Sequence, residues 1–358
     1  MLAKSFLPMT AVLEMTYDCN HACKFCSCHW YKEQGIKTAE MDVAEWKELI
    51  TEFCKAGVCS FAFTGGEALM KDGLIEIIEH AAQSKAYFFD TVDGELVERI
   101  DKPDLFLLSN GKIVDDEILD LCATHKIHLS FSLPGLETFE EITQSGVSSD
   151  HILELFKRAK AKGVTTTAGI TVTKLNFHEL YDNIAAALVA GADSILLNRF
   201  MPGGRGLNNR ELELSLDQIK QIPIIADEIL TLAKRNGHIG TELPFCIADP
   251  KDFKTLVTGT RCSAASDFFV VSPNGQLRVC NHSEVELLNW RDWRSLQQHP
   301  YWNRFVFKEW IPEGCEGCDK LGVDCDGGCR EAAHVANGSV NAPDPLWQGT
   351  APYKQYTL

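Results

Sequence analysis

Between residues 11 and 200 the chain alternates short apolar segments with longer amphipathic ones. The short segments are rich in β-branched or aromatic residues and have the length of buried strands, so they predict strands. The longer segments place apolar residues at helical spacing, which predicts helices that bury one face. The predicted strands are AVLEMT, VCSFAF, LFLLSN, IHLSFSL, TTTAGITV and SILLNRF, which begin at residues 11, 58, 105, 127, 165 and 194.

Strands that alternate with helices are typical of a parallel sheet. We therefore predict an α/β fold, a partial (β/α)6 TIM-type barrel. An open doubly wound sheet is the alternative, because the pattern does not reveal the strand order. In a barrel, the loops that follow the carboxyl ends of the strands carry the chemistry. The motifs described below for this half of the chain lie in such loops.

Two features interrupt this regular pattern. Residues 86–104, with an Asp93-Gly94 turn between β-prone flanks, predict an inserted β-hairpin. After about residue 238, cysteines become frequent and helical segments become short. We expect a barrel domain over residues 1–238, a small cysteine-rich α+β domain over 239–347 and a tail over 348–358.

Charge and hydropathy restrict the partners. The chain has 50 acidic and 34 basic residues, a net charge of −16. Proteins that bind nucleic acid through phosphate contacts need a basic surface, so DNA and RNA are not expected as main partners. No segment has the apolar length needed to cross a bilayer, and the first residues do not form a typical signal peptide. We expect a cytoplasmic protein that does not bind membranes.

The chain has 14 cysteines, and in a reducing cytoplasm clustered cysteines bind metals more often than they form disulfides. Cys19, Cys23 and Cys26 follow the first predicted strand, in the segment CNHACKFC. Three thiolates can hold a small inorganic core with one position open, whereas a closed site takes four ligands. A zinc site that adds Cys28 is the alternative, although the closeness of Cys26 and Cys28 makes it sterically awkward.

This CxxxCxxC segment, with Phe25 before the last cysteine, resembles the cluster-binding loop of the radical SAM (S-adenosylmethionine) enzymes. The resemblance implies that Cys19, Cys23 and Cys26 bind a 4Fe–4S cluster whose open iron binds the methionine end of SAM. It also implies reductive cleavage of SAM to a 5′-deoxyadenosyl radical, which abstracts a hydrogen atom from a substrate. Cys28 is then expected to be a small packing residue.

Other strand-end loops resemble the SAM-binding segments of that family. The sequence Gly65-Gly66-Glu67 resembles its GGE motif, which contacts the SAM amino group. Pro134 stands where many relatives with an extra cysteine domain have an aspartate, so the carboxylate used there in relatives is missing. Arg205, in MPGGRG, is a candidate contact for an anionic substrate group. The expected SAM contacts are Gly65, Gly66, Glu67, Ser109, Asn110, Ser132, Asn176 and Arg199.

A second group of cysteines lies between residues 246 and 329. Two of them flank a predicted hairpin around Pro273-Asn274-Gly275, and the segment CEGCDKLGVDCDGGC taken alone could form a zinc knuckle. Together these segments resemble the SPASM domain of radical SAM enzymes, which carries two auxiliary 4Fe–4S clusters. The resemblance implies that one cluster is bound by Cys262, Cys280 and Cys329, with upstream Cys246 as a fourth ligand. It implies that the other cluster is bound by Cys315, Cys318 and Cys325.

The second auxiliary site departs from the SPASM pattern. No cysteine follows Cys329, and Trp347 stands where the family tail often has its last thiol. This site therefore lacks one protein thiolate. The sequence leaves three possibilities open: an exposed iron, ligation by Asp344 or His334, or a site that cannot hold a complete cluster.

SPASM relatives mostly modify ribosomally made peptides, by crosslinking, epimerisation or side-chain oxidation. We therefore expect a peptide-modifying radical SAM enzyme, with an electron donor such as flavodoxin or ferredoxin. Because Cys19 comes early in the chain, we expect leader recognition by a separate leader-binding protein or by another surface. The alternatives are a radical SAM enzyme that acts on a small molecule such as a tetrapyrrole precursor, an activator of another enzyme, and a non-enzymatic iron–sulfur electron carrier.

Overall fold

The six predicted strands are all present and belong to one sheet in the computed structural model, which describes residues 6–28, 39–92 and 95–347. The strands are β1 (Thr10–Glu14), β2 (Ser60–Thr64), β3 (Ala86–Val92), β4 (Glu95–Asp101), β5 (Asp104–Ser109), β6 (His128–Ser132), β7 (Thr166–Val172), β8 (Ser194–Arg199), β9 (Asn236–Ile239), β10 (Leu256–Thr258), β11 (Phe268–Val271) and β12 (Leu277–Arg278).

Helices connect the strands where the amphipathic pattern predicts them. The α-helices are α1 (Val43–Lys55), α2 (Leu74–Gln83), α3 (Asp116–His125), α4 (Phe139–Thr143), α5 (Ser149–Ala161), α6 (Leu180–Ala190), α7 (Leu216–Ala233), α8 (Pro300–Val306) and α9 (Arg330–Asn337). Short 3-10 helices span Ala68–Met70, Phe177–Glu179, Gly204–Asn208, Arg210–Leu212, Pro250–Asp252 and Trp290–Gln298.

Helix α1 illustrates how the local sequence sets these elements. Asp42 caps its first turn by accepting the backbone N–H of Glu45, and the Glu45 side chain accepts the backbone N–H of Asp42 in return. This reciprocal capping box satisfies two donors that the helix itself leaves free. The face that carries Trp46, Leu49 and Phe53 is completely buried, so the helix covers the sheet with the face that the sequence predicts.

The sheet is mostly parallel and open, and its strand order is β10-β9-β8-β7-β6-β5-β2-β1-β11-β12. Within this sheet, neighbouring strands pair in parallel from β1 through β2, β5, β6 and β7 to β8, with helices as crossovers. The α/β fold with a partial barrel is thereby confirmed. Because these strands run in the same direction, the loops that follow them all open at one edge of the sheet.

The sheet extends beyond the six predicted units at both ends. Strand β9 pairs in parallel with β8 and with β10, and β11 pairs in parallel with β1. The predicted hairpin that surrounds residues 273–275 is present as antiparallel β11 and β12. The cysteine-rich region thus shares a sheet with the barrel half, and its delimitation as a domain at residue 238 stays a prediction.

The predicted insertion over residues 86–104 is present as the antiparallel pair β3 and β4, which forms a separate two-stranded sheet. Its Asp93-Gly94 turn lies outside the described residues. Among the helices that the structure describes, none is both long enough and apolar enough to cross a membrane.

Candidate active site at the carboxyl ends of the strands

A cavity of about 510 Å³ opens at the carboxyl ends of the parallel strands. The loops after β1, β2, β5, β6, β8 and β9 line it, which is the arrangement that the sequence predicts for the first half of the chain. The lining residues include Cys19, Cys23 and Cys26 from the loop after β1, and also Cys262, Cys280 and Cys329. Cys28 lines the cavity as well, so the fold brings two groups of cysteines that are distant in sequence to a single space.

Main-chain hydrogen bonds hold the first cysteine loop in place. The N–H groups of Ala22 and Lys24 donate to the carbonyls of Thr143 and Ile142, over 3.1 and 2.9 Å. On the other side, the Arg205 guanidinium donates to the Cys23 carbonyl over 3.0 Å. Because the backbone of the loop makes these contacts, its thiols are left to face the cavity. The sequence analysis offered Arg205 as a contact for an anionic substrate group. In the structure, Arg205 does not line the cavity.

Burial works against ionisation of two of these thiols. It raises the pKa of Cys23 and of Cys19 above the ordinary value of a thiol. The pKa of Cys26 is instead lowered to about 6, chiefly because the Cys28 thiol hydrogen-bonds to its sulfur. A bound metal centre deprotonates coordinating thiols, so thiols that face a common space suit a cationic group.

The glycines of the GGE segment allow a close approach between two loops. The N–H of Gly66 donates to the Thr16 carbonyl and that of Glu67 to the Asp18 carbonyl, both over 2.8 Å. A Cβ on Gly66 would lie 2.1 Å from the Asp18 carbonyl oxygen. Residue 66 must therefore lack a side chain so that the β2 loop can pack against the loop that carries the cysteines.

The Glu67 side chain connects the end of β2 with the end of β5. Its carboxylate accepts the Ser109 hydroxyl over 2.9 Å and the N–H of Asn110 over 2.7 Å. Burial raises the pKa of Glu67, and these donors act in the opposite direction. The Asn110 amide also lies 3.9 Å from the Cys19 sulfur. These predicted site residues thus form one connected group beside the first cysteine loop.

The other predicted SAM contacts have different surroundings. Ser132, at the end of β6, lines the cavity. The Asn176 amide bonds to the Thr171 carbonyl over 2.9 Å and to the Pro134 carbonyl, and this side chain does not line the cavity. Arg199 lines the cavity, but its guanidinium pairs with Asp344, with 2.7 Å between Nη2 and Oδ2.

The second group, Cys262, Cys280 and Cys329, is buried and held by its backbone. The N–H of Cys262 donates to Asp326 over 2.8 Å and that of Cys329 to Asp344 over 2.7 Å. Burial raises the pKa of all three thiols, to about 12 for Cys329. Like the first group, these thiols have surroundings that suit a metal centre.

Cys315, Cys318 and Cys325 form a third group, in the loop before α9. The Cys318 sulfur accepts the N–H of Lys320 over 3.4 Å, and the Cys325 sulfur accepts the N–H of Gly327 over 3.2 Å. Amide donors to sulfur are a feature of iron–sulfur sites, where they tune the reduction potential. Burial raises the pKa of Cys315 to about 11, and the neighbouring thiols Cys325, Cys318 and Cys246 also contribute to this rise.

Cys246 differs from the sequence expectation. The sequence assigns it to the group of Cys262, but it does not line the large cavity. It lines a smaller cavity of about 100 Å³ together with Cys315. The resemblance to the SPASM domain favoured the group of Cys262, whereas the fold places the segment that contains Cys246 beside Cys315 and Cys325.

Several cavity residues were missed by the sequence analysis. Thr241 and Glu242 follow β9, which is too short and too polar to be recognised as a strand. His282 and Glu331 follow Cys280 and Cys329 within two residues. Their closeness in sequence to these predicted cysteine ligands was the signal by which they could have been found. Burial lowers the pKa of His282 to about 4, so it faces the cavity as a neutral imidazole.

The chemistry of the donor set is that of iron–sulfur sites, which are held by cysteine thiolates. Within the described ranges, no three His, Cys, Asp or Glu side chains converge on one point as a single metal ion requires. A zinc ion needs its sulfur ligands at about 2.3 Å, whereas a cluster fills a larger space between its thiolates. The thiols of both groups line one cavity, and this is the observation that fits the implied clusters.

Comparison with known proteins identifies the family. Residues 13–187 match the Radical SAM superfamily. The chain is 26% identical over 361 residues to the PqqA peptide cyclase of Xanthomonas campestris pv. campestris, a similarity that covers 95% of this chain and 86% of that protein. It is 25% identical over 362 residues to the PqqA peptide cyclase of Rhodopseudomonas palustris, covering 96% of this chain and 88% of that protein.

A solved structure shares the fold at lower identity. Streptococcus suis SuiB, in its crystal structure with S-adenosylmethionine, superposes with a TM-score of 0.71 at 15% identity, over 96% of this chain and 77% of SuiB. SuiB has also been solved with its precursor peptide SuiA. The family match covers the first cysteine loop and the strands β2 to β7 that support it. Over residues 13–187 this chain is a member of the Radical SAM superfamily.

Proposed function

We propose that this chain is a radical SAM enzyme that modifies a ribosomally synthesised peptide. The observation that carries the proposal is the cavity that is lined both by the cysteines of the first loop and by Cys262, Cys280 and Cys329. A substrate in this cavity would lie between them, close to a SAM-binding group on one side and to an auxiliary group on the other. The curated relatives named PqqA peptide cyclase support a peptide as the substrate class.

In this proposal Cys19, Cys23 and Cys26 hold a 4Fe–4S cluster, and the strand-end loops hold SAM beside it. When bound and reduced, such a cluster supplies the electron that splits SAM and yields a 5′-deoxyadenosyl radical. The role of the Glu67 carboxylate is to fix the ends of β2 and β5, through its bonds to Ser109 and Asn110.

Cys262, Cys280 and Cys329 hold an auxiliary cluster in this proposal, with Cys315, Cys318 and Cys325 as part of another. The electron donor would be a small flavodoxin or ferredoxin in the cytoplasm, and a separate protein would recognise the peptide leader. The small-molecule alternative rested on an architecture shared with relatives that act on haem precursors and on the segment that contains Arg205, which suits an anionic substrate. Arg205 lies against the Cys23 carbonyl instead, so this alternative has no support from the cavity.

The test is anaerobic incubation with SAM, a reductant and short peptides encoded beside the gene. We expect 5′-deoxyadenosine together with a mass change in one peptide. The Cys26→Ala variant, which removes a proposed ligand, should form neither product. Formation of 5′-deoxyadenosine without any peptide change, across all credible precursors, would count against a peptide substrate. Absence of SAM cleavage in the reconstituted wild type would contradict the radical SAM assignment itself.

A further inference from the structure

The sequence leaves the group of Cys315, Cys318 and Cys325 one thiolate short. The two side chains that the sequence offers as substitutes already have partners, although Asp344 lines the same small cavity as Cys246 and Cys315. Asp344 accepts the Arg199 guanidinium and the N–H groups of Cys329 and Leu346. His334 lies 3.1 Å from the Tyr301 hydroxyl and 3.3 Å from the Glu331 carboxylate. Neither is available for this group without the loss of these contacts.

Cys246 lies beside this group although it is distant in sequence. It lines the cavity of about 100 Å³ together with Cys315 and Trp347. The N–H of Phe245, the preceding residue, donates to the Cys325 sulfur over 3.5 Å. The segment that carries Cys246 therefore runs directly along the loop that carries the other three thiols.

A local turn fixes the position of Cys246. The Pro244 carbonyl accepts the N–H groups of Ile247 and Ala248, over 2.8 and 3.2 Å. Cys246 thus lies within a hydrogen-bonded turn whose preceding residue already contacts the Cys325 sulfur. A thiol held in this way is partly ordered before any metal binds, which reduces the entropy that ligation would otherwise cost.

Trp347 marks where a thiol from the tail of the chain would reach. It lines the same cavity, and a Cβ on Gly314 would lie 2.4 Å from its ring. The ring therefore packs directly against the residue that precedes Cys315. Positions 246 and 347 approach the group from different segments and line one small space, so a thiol at either position could serve the same site.

The surroundings can also balance the charge of four thiolates. The Arg330 side chain is completely buried, and its guanidinium donates to the carbonyl of Gly327, a residue whose Cβ position lies 3.5 Å from the Cys315 sulfur. Its guanidinium is held by the carbonyls of Gly328 and Val340, over 3.2 and 3.1 Å. A fixed cation beside a thiolate cluster compensates part of the negative charge that burial would otherwise make costly.

We propose that Cys246 is the fourth protein ligand of the metal site formed by Cys315, Cys318 and Cys325. The site then has four thiolates, the number that closes a 4Fe–4S cluster without an external ligand. The group of Cys262, Cys280 and Cys329 is left with the three thiols that line the large cavity. This inference rests on the part of the proposed function that assigns iron–sulfur clusters to the chain, and it does not depend on the substrate.

The test combines Cys246→Ala with one variant in each group, in the full chain reconstituted anaerobically. Iron and acid-labile sulfide are measured per chain, and Mössbauer spectra identify the cluster type. The backgrounds are Cys315→Ala, which removes a ligand of the proposed site, and Cys262→Ala, which removes a ligand of the other group. Cys122→Ala is the matched control, because Cys122 is a buried cysteine of α3 outside all three groups.

We expect Cys246→Ala to lose roughly four irons, as Cys315→Ala does. Adding Cys246→Ala to Cys315→Ala should remove no further iron. Adding it to Cys262→Ala should remove further iron. The reverse pattern would assign Cys246 to the other group and overturn the inference, as would full iron content in Cys246→Ala. Full iron content in Cys315→Ala would overturn the cluster assignment of this site and the inference with it.

A rescue variant separates ligation from a folding defect. Trp347→Cys, introduced into Cys246→Ala, places a thiol on the other side of the same cavity. We expect it to restore the lost iron, which a general loss of stability would not allow. Loss of iron in both backgrounds without rescue by Trp347→Cys would make Cys246 a structural residue and overturn the inference.

Discussion

Arg199 at the end of β8 and Asp344 near the end of the described chain form a buried ion pair, with 2.7 Å between Nη2 and Oδ2. Both side chains are at most 4% exposed. The other contact of Asp344 Oδ2 is the N–H of Cys329, over 2.7 Å. This carboxylate therefore connects the wall of the large cavity with the backbone of a proposed cluster ligand.

Replacing Asp344 with alanine should strongly destabilise the protein. The change leaves the Arg199 charge buried without its partner, a situation that typically costs roughly 3–5 kcal/mol. We expect a lower urea midpoint in anaerobic unfolding and less iron per chain, because Cys329 loses its backbone anchor. Asp116→Ala is the control, since its ion pair with Arg158 is solvent-exposed and should matter little. Equal midpoints for the two variants would contradict this account of the buried pair.

Replacing Gly66 with alanine should impair SAM cleavage. The new Cβ would lie 2.1 Å from the Asp18 carbonyl oxygen, so the cysteine loop or the β2 loop must move. Displacement of a reacting group by about 1 Å can cost of order 100-fold in rate. We expect a fall of that size in the formation of 5′-deoxyadenosine. Gly259→Ala is the matched control, because nothing lies within 4 Å of its Cβ position. The interpretation fails if both variants keep the wild-type rate.

The contribution of Asp227, on α7, to the free energy of unfolding should depend on pH in a predictable way. Its carboxylate accepts the N–H groups of Lys254, Thr255 and Leu256 over 2.7–3.0 Å and thereby orders the start of β10. Burial acts to raise the pKa of Asp227, but these donors outweigh burial and lower it below 3.8. A lowered pKa adds stability above the unfolded value, and this stability is lost only as the pH falls through the folded value.

We therefore expect Asp227→Asn to reduce the free energy of unfolding by about 1 kcal/mol, a value that allows for partial exposure. The difference from wild type should stay constant between about pH 5 and pH 8, because Asp227 is ionised throughout that range. Urea unfolding at several pH values measures it. A difference that shrinks on going from pH 8 to pH 5 would show that the pKa of Asp227 is raised instead.

The sequence predicted the local elements well because their signals are local. Strands such as β7 are short segments rich in β-branched residues, and helices such as α1 carry their caps and apolar faces within a few turns. Strand β9 was missed because NGHI is short and half exposed, and its conformation depends on pairing with β8 and β10. The pairing of β11 with β1 was also missed, since more than 250 residues separate the partners.

In the candidate site, too, the sequence predicted local features and missed those that depend on contacts between distant segments. The sequence predicted which loops carry the chemistry, and Cys19, Glu67 and Arg199 all line one cavity. It did not predict orientations within the loops, because these depend on packing between segments. Asn176 faces the carbonyls of Thr171 and Pro134, away from the cavity.

Cys28 provides the sharpest test of the first cysteine group. It lines the cavity and hydrogen-bonds to the Cys26 sulfur, so its thiol lies close enough to compete with an external ligand. If three thiolates hold the cluster, Cys26→Ala should remove roughly four irons per chain and abolish SAM cleavage. Cys28→Ala should keep both the iron and most of the activity, because alanine nearly preserves the packing of a small apolar residue.

Both variants can be compared by iron analysis and by 5′-deoxyadenosine formation in one reconstituted series. The two changes remove the same atom two residues apart in one loop, so each controls for the effect of the other on local packing. The lowered pKa of Cys26 depends first on Cys28, and a bound metal centre replaces that influence with a stronger one. Loss of the cluster in Cys28→Ala would mean a closed four-thiolate site, and such a site would leave no iron open for SAM.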